Sequence, residues 1–187
     1  MRSYLSQDCK TIVSLIKDND DSINEYRFTD EDGDEYEYEF SNDAENFTDL
    51  EWRLLGRYIA SNTHLKRLLL SRCTLNNEKM KSLFGELVNS SSIEMLDLDS
   101  NSQDLDSETF GVEGIRLMTP FLENSPQLTQ IWLNWNISLN TESFELLVQA
   151  LHNNTRELCC LGFCGCKISD ISVLDTYTPK SPESQFE

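Results

Sequence analysis

Cys159, Cys160, Cys164 and Cys166 place four thiols within the stretch LCCLGFCGC, the densest group of cysteines in the chain. Tetrahedral zinc binding is the chemistry such a group could perform, with each sulfur about 2.3 Å from the metal. Strand geometry argues against it. At a rise of about 3.3 Å per residue, Cys160 and Cys164 would stand about 13 Å apart on an extended chain. Free thiols are the better reading, with redox sensitivity at Cys160 or Cys164 ranking above zinc. Asp30, Asp32 and Asp34 around Gly33 invite a calcium reading. An EF-hand loop sets its glycine five residues after the first ligand. Counting back from Gly33 reaches Phe28, which has no ligand atom. This is a solvated acidic turn. His64 and His152 each fall at the end of a helical pattern, where the helix dipole favours a charged imidazole. No nucleophile–base group, P-loop or dinucleotide fingerprint accompanies them. The expectation is a protein without metal, cofactor or catalytic activity.

Composition sets the frame for other kinds of work. With 187 residues, 39% of them hydrophobic, the chain is long enough to bury a core. Thirty-three acidic residues against fifteen basic ones give a net charge of −18. Such a field repels nucleic acid and anionic membrane and favours a protein or peptide partner with a basic surface. No apolar run approaches the length of a membrane span. The opening MRSYLSQDCK lacks the apolar stretch of a secretory signal, so a cytoplasmic or nuclear location is expected, with all six cysteines reduced.

The elements that would position these side chains follow from periodicity. Leu5, Cys9, Ile12 and Ile16 form one face of an amphipathic helix. Tyr26 and Phe28, then Tyr36, Tyr38 and Phe40, alternate on either side of an Asp-Gly turn and read as a β-hairpin. Thr48 and Glu51 make a capping box ahead of a helix over residues 48–64, with Trp52, Leu55 and Ile59 on one face.

Beyond that helix the chain repeats itself. Leu65, Leu68, Leu70, Cys73 and Leu75 fit the spacing L-x-x-L-x-L-x-x-N/C-x-L. The pattern recurs from Ile93 (Leu96, Leu98, Asn101), from Leu128 (Ile131, Leu133, Asn136) and from Leu158 (Leu161, Phe163, Cys166, Ile168). Starting points lie 28, 35 and 30 residues apart. The helical faces keep step: Trp52, Leu55 and Ile59 correspond to Met80, Leu83 and Leu87, then to Ile115, Met118 and Leu122, then to Phe144, Leu147 and Leu151. The second unit carries an insertion near SQDLDSETFG, and Pro120 should kink the helix that follows. From Thr48 to Ile171 the chain resembles the ribonuclease-inhibitor-like class of leucine-rich repeats. The resemblance implies an α/β solenoid, with parallel strands on a concave face and helices on a convex one. It also implies an interaction scaffold. Residues 1–47 are expected as an N-terminal helix–hairpin cap, 48–174 as a leucine-rich-repeat domain of about four units, and 175–187 as a disordered polar tail.

In this architecture the inner apolar residues and the ninth-position Cys73, Asn101, Asn136 and Cys166 are structural. The intervening residues face the concavity: Leu69, Asp97, Trp132 and Gly162, flanked by Arg67, Asp99, Asn134 and Cys164, with Trp135 just beyond. Two tryptophans beside two aspartates resemble an interface anchor, because Trp is enriched at binding hot spots. The expected function is non-catalytic protein binding through Arg67, Leu69, Asp97, Asp99, Trp132, Asn134 and Trp135. The alternative is regulation of a GTPase or another enzyme, since Ran-type GTPase activators use similar repeats.

Overall fold

The computed structural model describes residues 13–23, 25–27, 47–102, 110–154 and 158–176. The second hairpin strand, the acidic turn, Leu5, Cys9, Ile12, most of the insertion and the polar tail lie outside the described residues. The chain is an α/β solenoid of the leucine-rich-repeat kind. Five short strands form one parallel sheet in sequence order: β1 (Glu25–Arg27), β2 (Arg67–Leu69), β3 (Met95–Asp97), β4 (Gln130–Trp132) and β5 (Cys160–Gly162). Among the described residues, four helices return the chain between strands, α1 (Asp49–Ser61), α2 (Asn77–Leu87), α3 (Val112–Asn124) and α4 (Thr141–His152), and residues 13–17 are helical as well. A 3-10 turn, Ser172–Thr176, follows β5. β1 pairs in parallel with β2, so the sheet reaches one strand into the segment expected as a cap.

The helices start where local chemistry says they should. At α1 the Glu51 carboxylate accepts from the Thr48 amide at 2.8 Å, and the Thr48 hydroxyl accepts from the Glu51 amide at 3.3 Å. Asn76 caps α2 and Asn140 caps α4 through side-chain oxygens. α3 has no side-chain cap after Gly111. It runs as one helix through Pro120, which is exposed and is the residue at which a kink is expected.

Packing follows the repeat. Leu68, Leu96 and Ile131 are register partners across β2, β3 and β4, and all three are fully buried. Behind them sit Ile59, Leu83, Met118 and Leu147 from the four helices, also fully buried. Each such side chain stabilises the fold by roughly 1.5–3 kcal/mol. Burial slackens in the last rung: Leu158, Leu161, Phe163 and Cys166 are only partly covered. Phe110, which closes the insertion, is fully buried, and a Cβ on Gly114 would overlap its ring.

Two polar devices tie the rungs together. At the ninth repeat position, Asn101 accepts from the amides of Cys73 and Leu75 at 2.9 and 3.2 Å and donates to the carbonyls of Leu70 and Leu98 at 2.8 and 2.9 Å. Asn136 repeats this one rung on, accepting from the Asn101 amide at 2.8 Å and donating to Leu98 and Leu133. Cys166 keeps part of the pattern, its thiol donating to the Leu133 carbonyl at 3.1 Å. The second device is a left-handed corner at the eighth position. Arg72, Ser100, Trp135 and Gly165 have φ of 57, 57, 59 and 74°. The amides of Arg72, Ser100 and Trp135 each donate to the seventh-position carbonyl of the next rung, those of Asp99, Asn134 and Cys164.

Candidate interaction surface

The register lines up the side chains expected to face the concavity. Arg67, Met95, Gln130 and Cys160 form one row across β2 to β5, and Leu69, Asp97, Trp132 and Gly162 form the next. The seventh-position residues Ser71, Asp99, Asn134 and Cys164 follow, and Trp135 marks the rim. The strands thus gather on one surface what is spread over about a hundred residues of sequence.

Position on the surface does not make every member available. Arg67 is exposed, and its Nε lies 3.4 Å from the Met95 sulfur. Leu69 is only 3% exposed, so this member of the expected set is a core side chain and offers almost nothing to a partner. Asp97 is half-buried and accepts from the Asp99 amide at 2.9 Å. Asp99 spends both carboxylate oxygens on one neighbour, accepting from the Asn134 amide at 2.7 Å and from its side-chain nitrogen at 3.1 Å. Asn134 in turn accepts from the Cys164 amide at 2.7 Å. Asp99 and Asn134 therefore build a second inter-rung ladder along the rim.

The tryptophans lean towards the last rung. A Cβ on Gly162 would stand 2.7 Å from Trp132 Cε3, and one on Gly165 would overlap the Trp135 ring. Each ring therefore lies against a glycine of the following unit. Trp132 is half-buried, and among the described residues its buried indole Nε1 has no hydrogen-bond partner. Trp135 is 58% exposed, the larger of the two offerings. Repeat spacing carries a legible signal for this arrangement, because Trp132–Gly162 and Trp135–Gly165 keep the 30-residue offset of Leu128–Leu158. Position eight left no such signal, since three of its four residues are types that seldom adopt positive φ.

Charge is divided along the surface. Arg67, Asp97 and Asp99 lie on β2 and β3 or just beyond. No charged side chain occurs from Asn124 to Thr141 or from Leu158 to Cys166, so the rungs of β4 and β5 are neutral. Among the described residues no group of three or more His, Cys, Asp or Glu could hold a metal ion.

The cysteines separate by environment. Burial pushes the Cys73 thiol far above its ordinary range, and burial raises Cys166 as well. Cys159 and Cys164 are exposed. Since the thiolate is the nucleophile, maleimide labelling of the native protein read by mass spectrometry is expected, among the described cysteines, to modify Cys159 and Cys164 first and Cys73 only on unfolding. Labelling of Cys73 at the rate of Cys164 would contradict the buried ninth position.

No known family's sequence model matches the chain, and no curated protein sequence matches it. Its fold is shared with solved structures. One is the Leiomodin-1 Actin-Binding Site 2, with a TM-score of 0.63, 18% identity, and coverage of 89% of this chain and 83% of that one. Another is the tropomodulin C-terminal domain of Caenorhabditis elegans, with a TM-score of 0.62, 13% identity, and coverage of 90% and 88%. These findings overturn the resemblance to the ribonuclease-inhibitor-like class. A spacing near 28 residues measures the contour of one strand, one helix and two connections, and any solenoid of such units will approach it. Later spacings of 35 and 30 residues already depart from a strict period. The solenoid stands; the class assigned to it does not. Among the described residues no helix is long and apolar enough to cross a membrane.

Proposed function

We propose that this chain is a non-catalytic protein-binding module whose concave surface receives a protein partner, and that actin is that partner. The single observation that carries the proposal is the pair of tryptophans laid over Gly162 and Gly165 at the neutral end of an otherwise charged sheet. Exposed aromatic area held rigid by its own scaffold suits a binding hot spot, because little side-chain entropy is lost on docking. Arg67 and Asp97 supply charge at the other end, which favours one docking orientation and a partner with basic groups opposite β3. Asp99 and Asn134 act by holding the rim, and Leu69 by packing beneath it. Actin enters through the likeness to the leiomodin-1 domain named for an actin-binding site. A cytoplasmic, cytoskeletal setting goes with that reading. The acidic field supports it further by repelling phosphate backbones and anionic lipid. No observation favours the alternative of a GTPase regulator.

Co-sedimentation with filamentous actin, together with titration against monomeric actin, tests the partner. Trp135→Ala and Asp97→Lys are each expected to weaken binding at least about tenfold, the scale of a hot-spot truncation, while the circular-dichroism melt stays close to that of the parent. Absence of binding to either form of actin would remove actin. Binding that both substitutions leave unchanged would remove the concave surface as its site.

A further inference from the structure

We propose that two copies of this chain associate end to end through the outer edge of β5, as an antiparallel two-fold pair. This stands on the geometry of the last rung and is independent of what the concave surface binds. In the inner rungs the sixth- and eighth-position amides donate to the next strand, as Leu133 and Trp135 do to Gly162 and Cys164, and the second-position carbonyl of Thr129 accepts from Cys159 and Cys160. The equivalents in the last rung are the amides of Phe163 and Gly165 and the carbonyl of Cys159. Among the described residues β5 pairs on one side only, so these groups point outward from the sheet. An edge of this kind is a template for another strand unless charge or bulk blocks it.

Among the described residues the edge strand itself carries no such block; the charges of the last rung, Lys167, Asp170 and Asp175, follow it. Residues 158–166 carry no charge, and Lys167 is the first charged side chain after them. The segment of sequence that contains β1 differs in composition: residues 1–47 hold 14 acidic side chains against 4 basic ones. Overall, 29 of the 33 acidic and 13 of the 15 basic residues precede residue 158. A second copy that approaches β5 therefore meets an uncharged strand and only three charged side chains, Lys167, Asp170 and Asp175, in the described residues after it. Apolar surface is concentrated there too. Ile171 is 60% and Leu174 41% exposed, and the side chains of Leu161 and Phe163 are partly open where their equivalents in the preceding rungs are fully buried. Two three-residue strand edges alone would bury far less than the roughly 1,200 Å² of a stable interface. Ile171, Leu174 and the 3-10 turn must add to it, and the association should be weak. A two-fold pair closes on itself; head-to-tail pairing of β5 with β1 would instead give filaments.

Sedimentation equilibrium of the full chain under reducing conditions, over a range of concentration and salt, tests this. The expected result is a monomer–dimer equilibrium that stops at the dimer and tightens with salt, because the two copies carry the same sign of charge. The double substitution Ile171→Asp/Leu174→Asp, at exposed sites, should weaken it at least tenfold with an unchanged melt. Hydrogen exchange should show protection of the Phe163 amide rising with concentration. A monomer at every concentration and salt overturns the proposal. So does a dimer indifferent to the double substitution, which places the interface elsewhere, or growth beyond the dimer.

Discussion

Replacing Asn101 by alanine is expected to cost about 3–5 kcal/mol of folding stability, because several buried backbone groups lose their partner at once. Asn101 is 4% exposed. Its side-chain oxygen accepts from two amides of the preceding rung, and its nitrogen donates to the Leu70, Leu98 and Asp99 carbonyls, the last at 3.3 Å. Alanine satisfies none of them, and at 4% exposure the position offers little surface to water. Asn101→Asp keeps both acceptor roles and loses the donor roles, so it should also destabilise, and more so as the pH rises and the carboxylate ionises among carbonyl oxygens. Asn101→Cys should be the mildest of the three. A thiol already serves this position in the first and last rungs, and that of Cys166 still donates to a carbonyl. Urea unfolding read by fluorescence settles the order: the midpoint should fall from Cys to Ala at a constant slope. An alanine variant within about 1 kcal/mol of the parent would mean the ladder contributes no more than an ordinary single hydrogen bond.

The same asparagines show what a single sequence can disclose about a solenoid. Their place was visible because it recurs at a fixed distance from an apolar triplet, and a buried amide at a strand end has few roles open to it. The strands, the helices and the face each residue takes were visible for the same reason. What the pattern could not give was the coverage of a face. Leu69 occupies the concave row as expected, yet it is buried, because side chains of neighbouring rungs decide exposure and these come from far along the chain. Asp99 and Asn134 looked like partner contacts because polar residues on an open face usually are. They are instead committed to amides of the next rung, a bond that depends on register between strands 35 and 30 residues apart. The left-handed corner was hidden for a different cause. Local preference would reserve it for Gly or Asn, but rung-to-rung hydrogen bonds impose it on Arg72, Ser100 and Trp135 alike. Buried Asn62 and Ser125, each three residues before an opening leucine, formed a further register that spacing did contain. Asn62 ties the turn after α1 together, accepting from the His64 and Leu65 amides at 2.9 and 2.7 Å.

These rung-to-rung constraints bear on the candidate site through its glycines. A Val in place of Gly165 is expected to lower stability by about 2–4 kcal/mol, the sum of a left-handed backbone penalty and an overpacked contact. Gly165 sits at φ 74°, where a β-branched side chain is least tolerated. Its new Cβ would overlap Trp135 Cε3 and lie 2.9 Å from Cδ2 and Cζ3. The two parts can be separated. Trp135 is 58% exposed, so its ring can swing into solvent and relieve the clash, whereas the backbone strain has no such outlet. In a double-mutant cycle with Trp135→Ala, the clash should surface as a coupling of about 0.5–1.5 kcal/mol between these contacting residues, and the remainder should persist in the double variant. Gly165→Asn isolates the backbone part from the other side, since Asn tolerates the left-handed region better than valine does. The displaced ring makes the same substitution a test of display. Where the exposed tryptophan anchors a partner, Gly165→Val should weaken binding even in a protein stabilised against unfolding by a few molar of an excluded osmolyte, because the indole can no longer rest against position 165. Unaltered binding by a Gly165→Val protein whose tryptophan emission has shifted would show that the orientation of Trp135 is irrelevant to recognition.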